Sequence, residues 1–292
     1  MNELYSSSRF NHLIEDAILE DVGMGDVTTD SIVSADLIGH GDILLKEPGI
    51  VAGLEVAEMI FQFIDPELIF KKTDADGSYL AANTIAATVD GPFGSILKAE
   101  RTVLNILQRM SGIATLTRKF VDAVKGTGTK ITDTRKTVPG MRLLDKSAVR
   151  IGGGVNHRFG LDDMVLIKDN HIAAAGGLSK AVERCMAFLD AKRYQIKIEV
   201  ETKNLSDVRE ALKHKGIHRI MLDNYSIAEM KKALELIDRG VEVEASGNIT
   251  LENVREIAET GVDFISVGAL THSSKALDIS LKIVHLPECS SR

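Results

Sequence analysis

The sequence predicts an α/β chain: an incomplete, six- or seven-stranded parallel α/β barrel preceded by an α+β N-terminal domain. Three observations carry this. Six short β-branched runs alternate with amphipathic helical patterns between about residues 125 and 270. Two of those runs are polar on one face only. The first 112 residues carry strand and helix signals without that alternation.

From the N-terminus, a helix is expected around Phe10–Leu19, followed by the glycine-rich EDVGMGDVTTD (20–30). Strand-like runs come next, GDILLKE, GIVAG, ELIFKK and TIAATVDG, with helices at about Leu54–Phe63 and Ala99–Arg109. The barrel strands are expected in TKITDT (129–134), DMVLIKD (163–169), YQIKIEVE (194–201), HRIMLDN (218–224), VEVEASG (241–247) and DFISVGA (263–269). Apolar residues at helical spacing separate them, as in Leu178, Ala181, Val182, Cys185 and Leu189.

Strand faces favour a barrel over an open doubly wound sheet. Ile196, Ile198 and Val200 share one face, and Lys197, Glu199 and Glu201 the other; Glu242, Glu244 and Ser246 align in the same way. A central strand of a doubly wound sheet is covered on both faces and should be apolar on both. A polar face suits the interior of a barrel that holds a ligand. The expected division is 1–112 (α+β), 113–270 (barrel) and 271–292, a C-terminal segment packing back on the N-terminal domain. Around Ser111–Ala114 no linker composition is visible.

Composition excludes several classes. With 44% hydrophobic and 26% charged residues, the chain is neither disordered nor fibrous. No run approaches the roughly 20 apolar residues of a membrane span, so no membrane partner is expected. A net charge of −7 argues against nucleic acid. Two cysteines, Cys185 and Cys289, lack disulfide-framework or metal spacing, and the N-terminus lacks a basic-then-apolar leader; both point to a cytoplasmic location. His12, His40, His214, His218, His272 and His285 have no metal-site spacing.

Net charge conceals a local pattern. Ile131–His171 holds seven Lys/Arg against five acids, so this segment is +2 and the remainder −9. Arg135, Lys136, His157, Arg158 and Lys168 converge on one barrel mouth if the strand assignments hold, and convergent cations suit carboxylates or phosphates. Glu201 and Asp223, at successive strand ends, oppose them; such carboxylates hold a phosphate-bound Mg²⁺, hydrogen-bond a sugar or stabilise developing positive charge. Ion pairing with Lys136 or Lys168 is the structural alternative. Glu199, Glu242 and Glu244 read as structural, paired with Lys197 and neighbours. Ser246-Gly247-Asn248 is a candidate phosphate loop, whereas Gly152–Gly154 reads better as a glycine turn.

Several motifs together resemble one family. They are AERTVLNILQRMSGIAT (99–115), TDTRKTVPGMRLLDKSAVRIGGGVNHRFGLDDMVLIKDNHI (132–172), IEVET, MLDN, EASGNIT and ISVGALTHS. Their succession looks like the quinolinate phosphoribosyltransferases, also called carboxylating nicotinate-nucleotide pyrophosphorylases or diphosphorylases, over nearly the whole chain. The resemblance implies a type II phosphoribosyltransferase. Its reaction converts quinolinate and phosphoribosyl pyrophosphate, with Mg²⁺, to nicotinate mononucleotide, pyrophosphate and CO₂ in NAD biosynthesis. It also implies a homodimer in which Arg101 of the AERT motif reaches the neighbouring subunit's site.

By motif, Thr134, Arg135 and Lys136, His157 and Arg158, and Lys168 match positions that bind quinolinate's carboxylates and neighbouring phosphate. Glu201 and Asp223 match an acidic pair near ribose and Mg²⁺-pyrophosphate, with the metal held directly or through pyrophosphate. Lys136, Glu201 and Asp223 are the implied catalytic set. Ser246, Gly247, Asn248, Val267, Gly268 and Ala269 match phosphate-binding loops. Asp162 of GLDD departs from the family pattern, where an aromatic or small residue is usual, and adds negative charge near the mouth. A phosphoribosyltransferase for another aromatic carboxylate and a silent ligand-binding relative are the alternative readings.

Overall fold

A computed structural model describes residues 8–285. Cys289 lies outside the described residues. The chain forms two compact units that interleave in sequence. One takes the chain up to Arg118, then Thr137–Gly153 and the chain from Thr271 onward; the other takes Lys119–Lys136 and Gly154–Leu270.

The first unit is built on an antiparallel sheet whose strands lie in the order Ile279–His285, Ile38–Leu45, Thr84–Pro92, Ile69–Lys72. Ile38–Leu45 alternates as a half-buried strand must, turning Gly39, Gly41, Ile43 and Leu45 inward. Helix Ser8–Val22 buries Phe10, Ile14 and Ile18, one residue per turn. Helix Leu54–Ile64 buries Leu54, Ala57 and Phe61 on one stripe. Gly53 has no side chain to cap that helix, and Asp76 instead accepts the Leu54 N–H at 2.9 Å.

Helix Phe93–Ala123 is much longer than the expected Ala99–Arg109. It runs unbroken through residue 112, so the expected cut between 112 and 113 falls inside one helix. Apolar residues continue at helical spacing through Val103, Leu107, Met110, Ile113 and Ala114, all buried, and this stripe carries the helix past Gly112. Gly112 lets the Lys275 carbonyl approach the helix closely. The adjacent chain is tied on by Leu277 N–H to Gln108 O (2.9 Å) and by Gln108 Nε2 to Ile279 O (2.7 Å). Strand Ile279–His285, absent from the sequence reading, then completes the sheet beside Ile38–Leu45.

The second unit is a six-stranded, all-parallel sheet. Its strands are Lys130–Thr132, Val165–Ile167, Ile198–Thr202, Arg219–Asp223, Glu242–Ser246 and Phe264–Ser266, each inside an expected run except Ile198–Thr202, which ends one residue beyond it. In the sheet, Lys130–Thr132 lies beside Phe264–Ser266, and the others follow in sequence order back to Val165–Ile167. This order is cyclic, with the last strand returning to the first, as in a barrel. A doubly wound sheet would instead reverse at a switch point. The ring opens between the first and second strands, where Val155 makes a parallel bridge to Thr132. Ile198, Val200, Ile220, Leu222, Val243, Ala245 and Ile265 are buried on the outer face.

Candidate active site at the barrel mouth

The carboxyl ends of the barrel strands surround a cavity of about 470 Å³. Nine of the expected residues line it: Thr134, Arg135, Lys136, His157, Arg158, Lys168, Glu201, Asp223 and Ser246. Met221, Glu244 and Ser266 add to the wall, because alternate residues on each strand face inward.

Local folding explains how each cation is held. Asp133, fully buried at the end of the first strand, accepts Asn156 Nδ2 at 2.5 Å and the His157 N–H at 2.9 Å, fixing the Asn156-His157-Arg158 segment. His157 Nδ1 accepts the Arg158 N–H at 2.8 Å, and Arg158 Nη1 donates to Met164 O at 3.0 Å. Lys136 N–H donates to Thr134 Oγ1, closing a tight turn. His171 Nδ1 accepts the Lys168 N–H at 3.0 Å, so the histidine of LIKDNHI serves the helix start and not the cavity. Burial lowers the Arg158 pKa, and the charge of Arg135 lowers it further. The mouth therefore holds like charges against each other.

The acids sit opposite. Glu201 Oε2 is 3.4 Å from Lys168 Nζ, and Asp223 Oδ2 accepts Asn224 Nδ2 at 2.9 Å. Beneath them, Glu199 and Glu244 are fully buried, and burial pushes both carboxyls up to about 7. Neither pairs with the expected Lys197: Glu244 meets Arg219, and Glu199 Oε2 lies 3.0 Å from His157 Nε2. Arg219 Nη1 donates to Glu244 Oε2 at 2.8 Å, Nη2 to Glu242 Oε2 at 3.1 Å, and its guanidinium stacks 3.8 Å over Phe264. Lys197 precedes its strand and is exposed. His157, Glu199 and Glu244 place ligand atoms within 4.8 Å of one another, but Arg219 already supplies the positive charge there.

Other expected residues are placed differently. Gly247 and Asn248 form the turn after Glu242–Ser246, and Val267, Gly268 and Ala269 follow Phe264–Ser266 into helix Ala269–His272. Arg101 is exposed on helix Phe93–Ala123 in the first unit. Arg142, Lys146 and Arg150, counted in the cationic segment, also belong to that unit, on helix Arg142–Ile151, with Lys146 almost fully buried. Gly152 follows that helix, and glycine is needed there because a Cβ would stand 2.5 Å from Ala114 O, a packing constraint. Asp162 is exposed and does not line the cavity; its carboxylate turns back against Gly160. Sequence reading missed the anchoring role of Asp133 and the partnership of Arg219, although both carried a visible signal as charged residues within predicted strands.

The chain matches the family models for the quinolinate phosphoribosyl transferase N-terminal domain over residues 26–111 and C-terminal domain over 113–282. A Nicotiana tabacum protein named quinolinate phosphoribosyltransferase (decarboxylating) 2a, mitochondrial, is 48% identical over 282 residues, covering 91% of this chain and 80% of its own. An Arabidopsis thaliana protein named nicotinate-nucleotide pyrophosphorylase (carboxylating), chloroplastic, is 48% identical over 286 residues, covering 93% and 82%. The crystal structure of nicotinate-nucleotide pyrophosphorylase from Ehrlichia chaffeensis superposes with a TM-score of 0.88 at 40% identity, covering 94% of this chain and 98% of that one. The organellar names correct the cytoplasmic expectation. A low cysteine count reports only that no disulfide framework exists, and that holds in more than one compartment.

Proposed function

The chain belongs to the quinolinate phosphoribosyltransferase family, and from that premise we propose how its barrel mouth performs the reaction. The enzyme transfers the ribosyl phosphate of phosphoribosyl pyrophosphate to the ring nitrogen of quinolinate, releasing pyrophosphate and CO₂ and forming nicotinate mononucleotide for NAD biosynthesis. One observation supports this assignment most: Arg135 and Arg158 share a cavity with Lys136 and Lys168, across from Glu201 and Asp223. Two adjacent carboxylates and a multiply anionic co-substrate require that density of positive charge.

Arg135, Arg158 and Lys168 bind the two quinolinate carboxylates, and His157 braces Arg158 by accepting its N–H. Lys136 meets the neighbouring phosphate. The turns at Ser246-Gly247-Asn248 and Val267-Gly268-Ala269 offer backbone N–H groups to the remaining phosphate. As the C–O bond to pyrophosphate breaks, positive charge grows on the ribose carbon, and Glu201 and Asp223 stabilise it. The quinolinate nitrogen supplies the electron pair for the new C–N bond and becomes cationic. The adjacent C–C bond then breaks. CO₂ leaves, the electron pair stays on the ring carbon next to that nitrogen, and a proton from water completes the product. No covalent enzyme intermediate is needed; positioning and fixed charge supply the catalysis.

Glu201 and Asp223 are hard oxygen donors in one cavity, which fits Mg²⁺ carried by pyrophosphate. Such an ion, when bound, neutralises charge on the leaving group. A homodimer with Arg101 donated to the neighbouring site is supported by that residue's exposure and by exposed apolar Met24, Val27 and Ile32 in the same unit.

The test is direct. Purified protein with quinolinate, phosphoribosyl pyrophosphate and Mg²⁺ should form nicotinate mononucleotide, and Arg135→Ala should abolish quinolinate binding while the fold survives. Absence of product from folded protein at saturating substrate rejects the reading. Mixing Arg101→Ala with a barrel-mouth variant such as Lys168→Ala should restore part of the activity if subunits exchange the arginine; no restoration by re-formed dimers counts against it.

A further inference from the structure

Asn224 stands directly after Asp223 with a left-handed backbone, φ 59°, a conformation that asparagine tolerates better than other side-chain-bearing residues. Its neighbours across the strand-end turn are also left-handed: Gly247 has φ 98° and Asn248 φ 52°. Two bonds join the two strand ends, and a third ties Asn224 to the acid that precedes it. The Asn224 N–H donates to Ser246 O at 2.8 Å. Its side-chain Nδ2 donates to Asp223 Oδ2 at 2.9 Å, and its Oδ1 accepts Asn248 Nδ2 at 3.0 Å. The amide packs so tightly over Gly247 that a Cβ there would overlap Asn224 Oδ1.

Both ends of one amide are thus used, one on an acid of the site and the other on the turn beyond. Aspartate at 224 could still accept from Asn248 but would oppose Asp223 with like charge, whereas asparagine satisfies both partners. We infer that Asn224 is a positioning residue that locks the Asp223 carboxylate to the Gly247–Asn248 turn. This rests on the proposed function, in which Asp223 meets the ribose and pyrophosphate end of the co-substrate and the turn meets its phosphate. The latch sets the separation of the two contacts before the co-substrate arrives, so ordering them costs less on binding. Quinolinate, held by Arg135 and Arg158, does not depend on it.

The experiment uses the full chain, with Asn224→Ala, Asn224→Asp, Asn248→Gly and the Asn224→Ala/Asn248→Gly pair. Binding of quinolinate alone and of phosphoribosyl pyrophosphate with Mg²⁺ is measured by calorimetry, and KM and kcat by product formation. Asn224→Ala and Asn224→Asp should raise the phosphoribosyl pyrophosphate KM and Kd by about tenfold or more, with quinolinate Kd within about twofold. Asn248→Gly should act in the same direction, and the pair should be no worse than Asn224→Ala alone, because the two side chains make one connection. A co-substrate affinity within about twofold in both Asn224 variants, or an equal loss for both substrates, overturns the inference. If the wild-type protein binds neither substrate, the functional reading fails and the latch is judged by amide exchange. Protection of the Asn224 N–H should fall in Asn224→Ala, and unchanged protection rejects the latch.

Discussion

Nε2 of His157 lies 3.0 Å from Oε2 of Glu199, with the two side chains only 6% and 0% exposed. Glu244 Oε2 is 3.5 Å from the same nitrogen, and Arg219 reaches Glu244 from the other side. Because His157 Nδ1 accepts the Arg158 N–H, the ring proton belongs on Nε2, facing the carboxylates. A charged floor of this kind orients the segment that carries Arg158.

That floor predicts a pH dependence of stability. Glu199 and Glu244 have folded pKa values raised from 4.5 to about 7, chiefly by burial. The folded state therefore retains protons that the unfolded chain releases. This contribution is full below the unfolded value and is lost as pH rises through about 7. Glu244→Gln should give a shallower fall in melting temperature between about pH 5 and pH 8 than the wild type. A slope equal to wild type would show that these carboxyls do not set it.

Arg135 and Arg158 repel each other in the cavity, so an anion that bridges them should stabilise the protein in proportion to its carboxylates. Quinolinate should raise the melting temperature more than nicotinate at equal concentration, and high salt should shrink the difference. Equal shifts for the mono- and dicarboxylate would contradict the assigned cations.

In the first unit, Arg109 Nε and Nη2 donate to Asp145 Oδ1 and Oδ2 at 2.7 and 2.8 Å, and Asp145 is fully buried. Arg109→Met leaves a buried carboxyl without its fork and should cost about 3 kcal/mol or more in urea denaturation. Combining it with Asp145→Leu should recover much of that loss, since two apolar side chains need no partner. If the pair is as unstable as Arg109→Met, the fork is not the cause.

Gly152 has φ −68°, so its requirement is for space. A Cβ would stand 2.5 Å from Ala114 O and 2.7 Å from Thr117 Cβ. Gly152→Ala should destabilise by about 1–3 kcal/mol through overpacking. Unchanged denaturation midpoints would mean that the two helices can part without penalty.

Legibility followed the range of the interaction. All six barrel strands were visible because alternation and β-branching are local properties of each run, as in Ile198–Thr202. Of the nine residues lining the cavity, seven were legible at strand ends, and His157 and Arg158 from the cationic stretch and its NHR motif. The full length of helix Phe93–Ala123 was missed because expectation stopped at Arg109, although the apolar stripe continues. Strand Ile279–His285 was missed because its pairing partner, Ile38–Leu45, is more than two hundred residues away.

The barrel rhythm, the residues at the carboxyl ends of the strands and the family they belong to can all be read along the chain. Each follows from short-range periodicity and from motifs read in order. Tertiary structure alone decided which charges meet. Arg135, Lys136, Arg158 and Lys168 gather at the cavity, whereas Arg142, Lys146 and Arg150, from the same stretch of chain, join the other unit. Arg219, not Lys197, pairs with Glu242 and the buried Glu244 because strand register sets it beside Glu242 on the adjacent strand. Charge pairing depends on which strands become neighbours, and no local pattern encodes that.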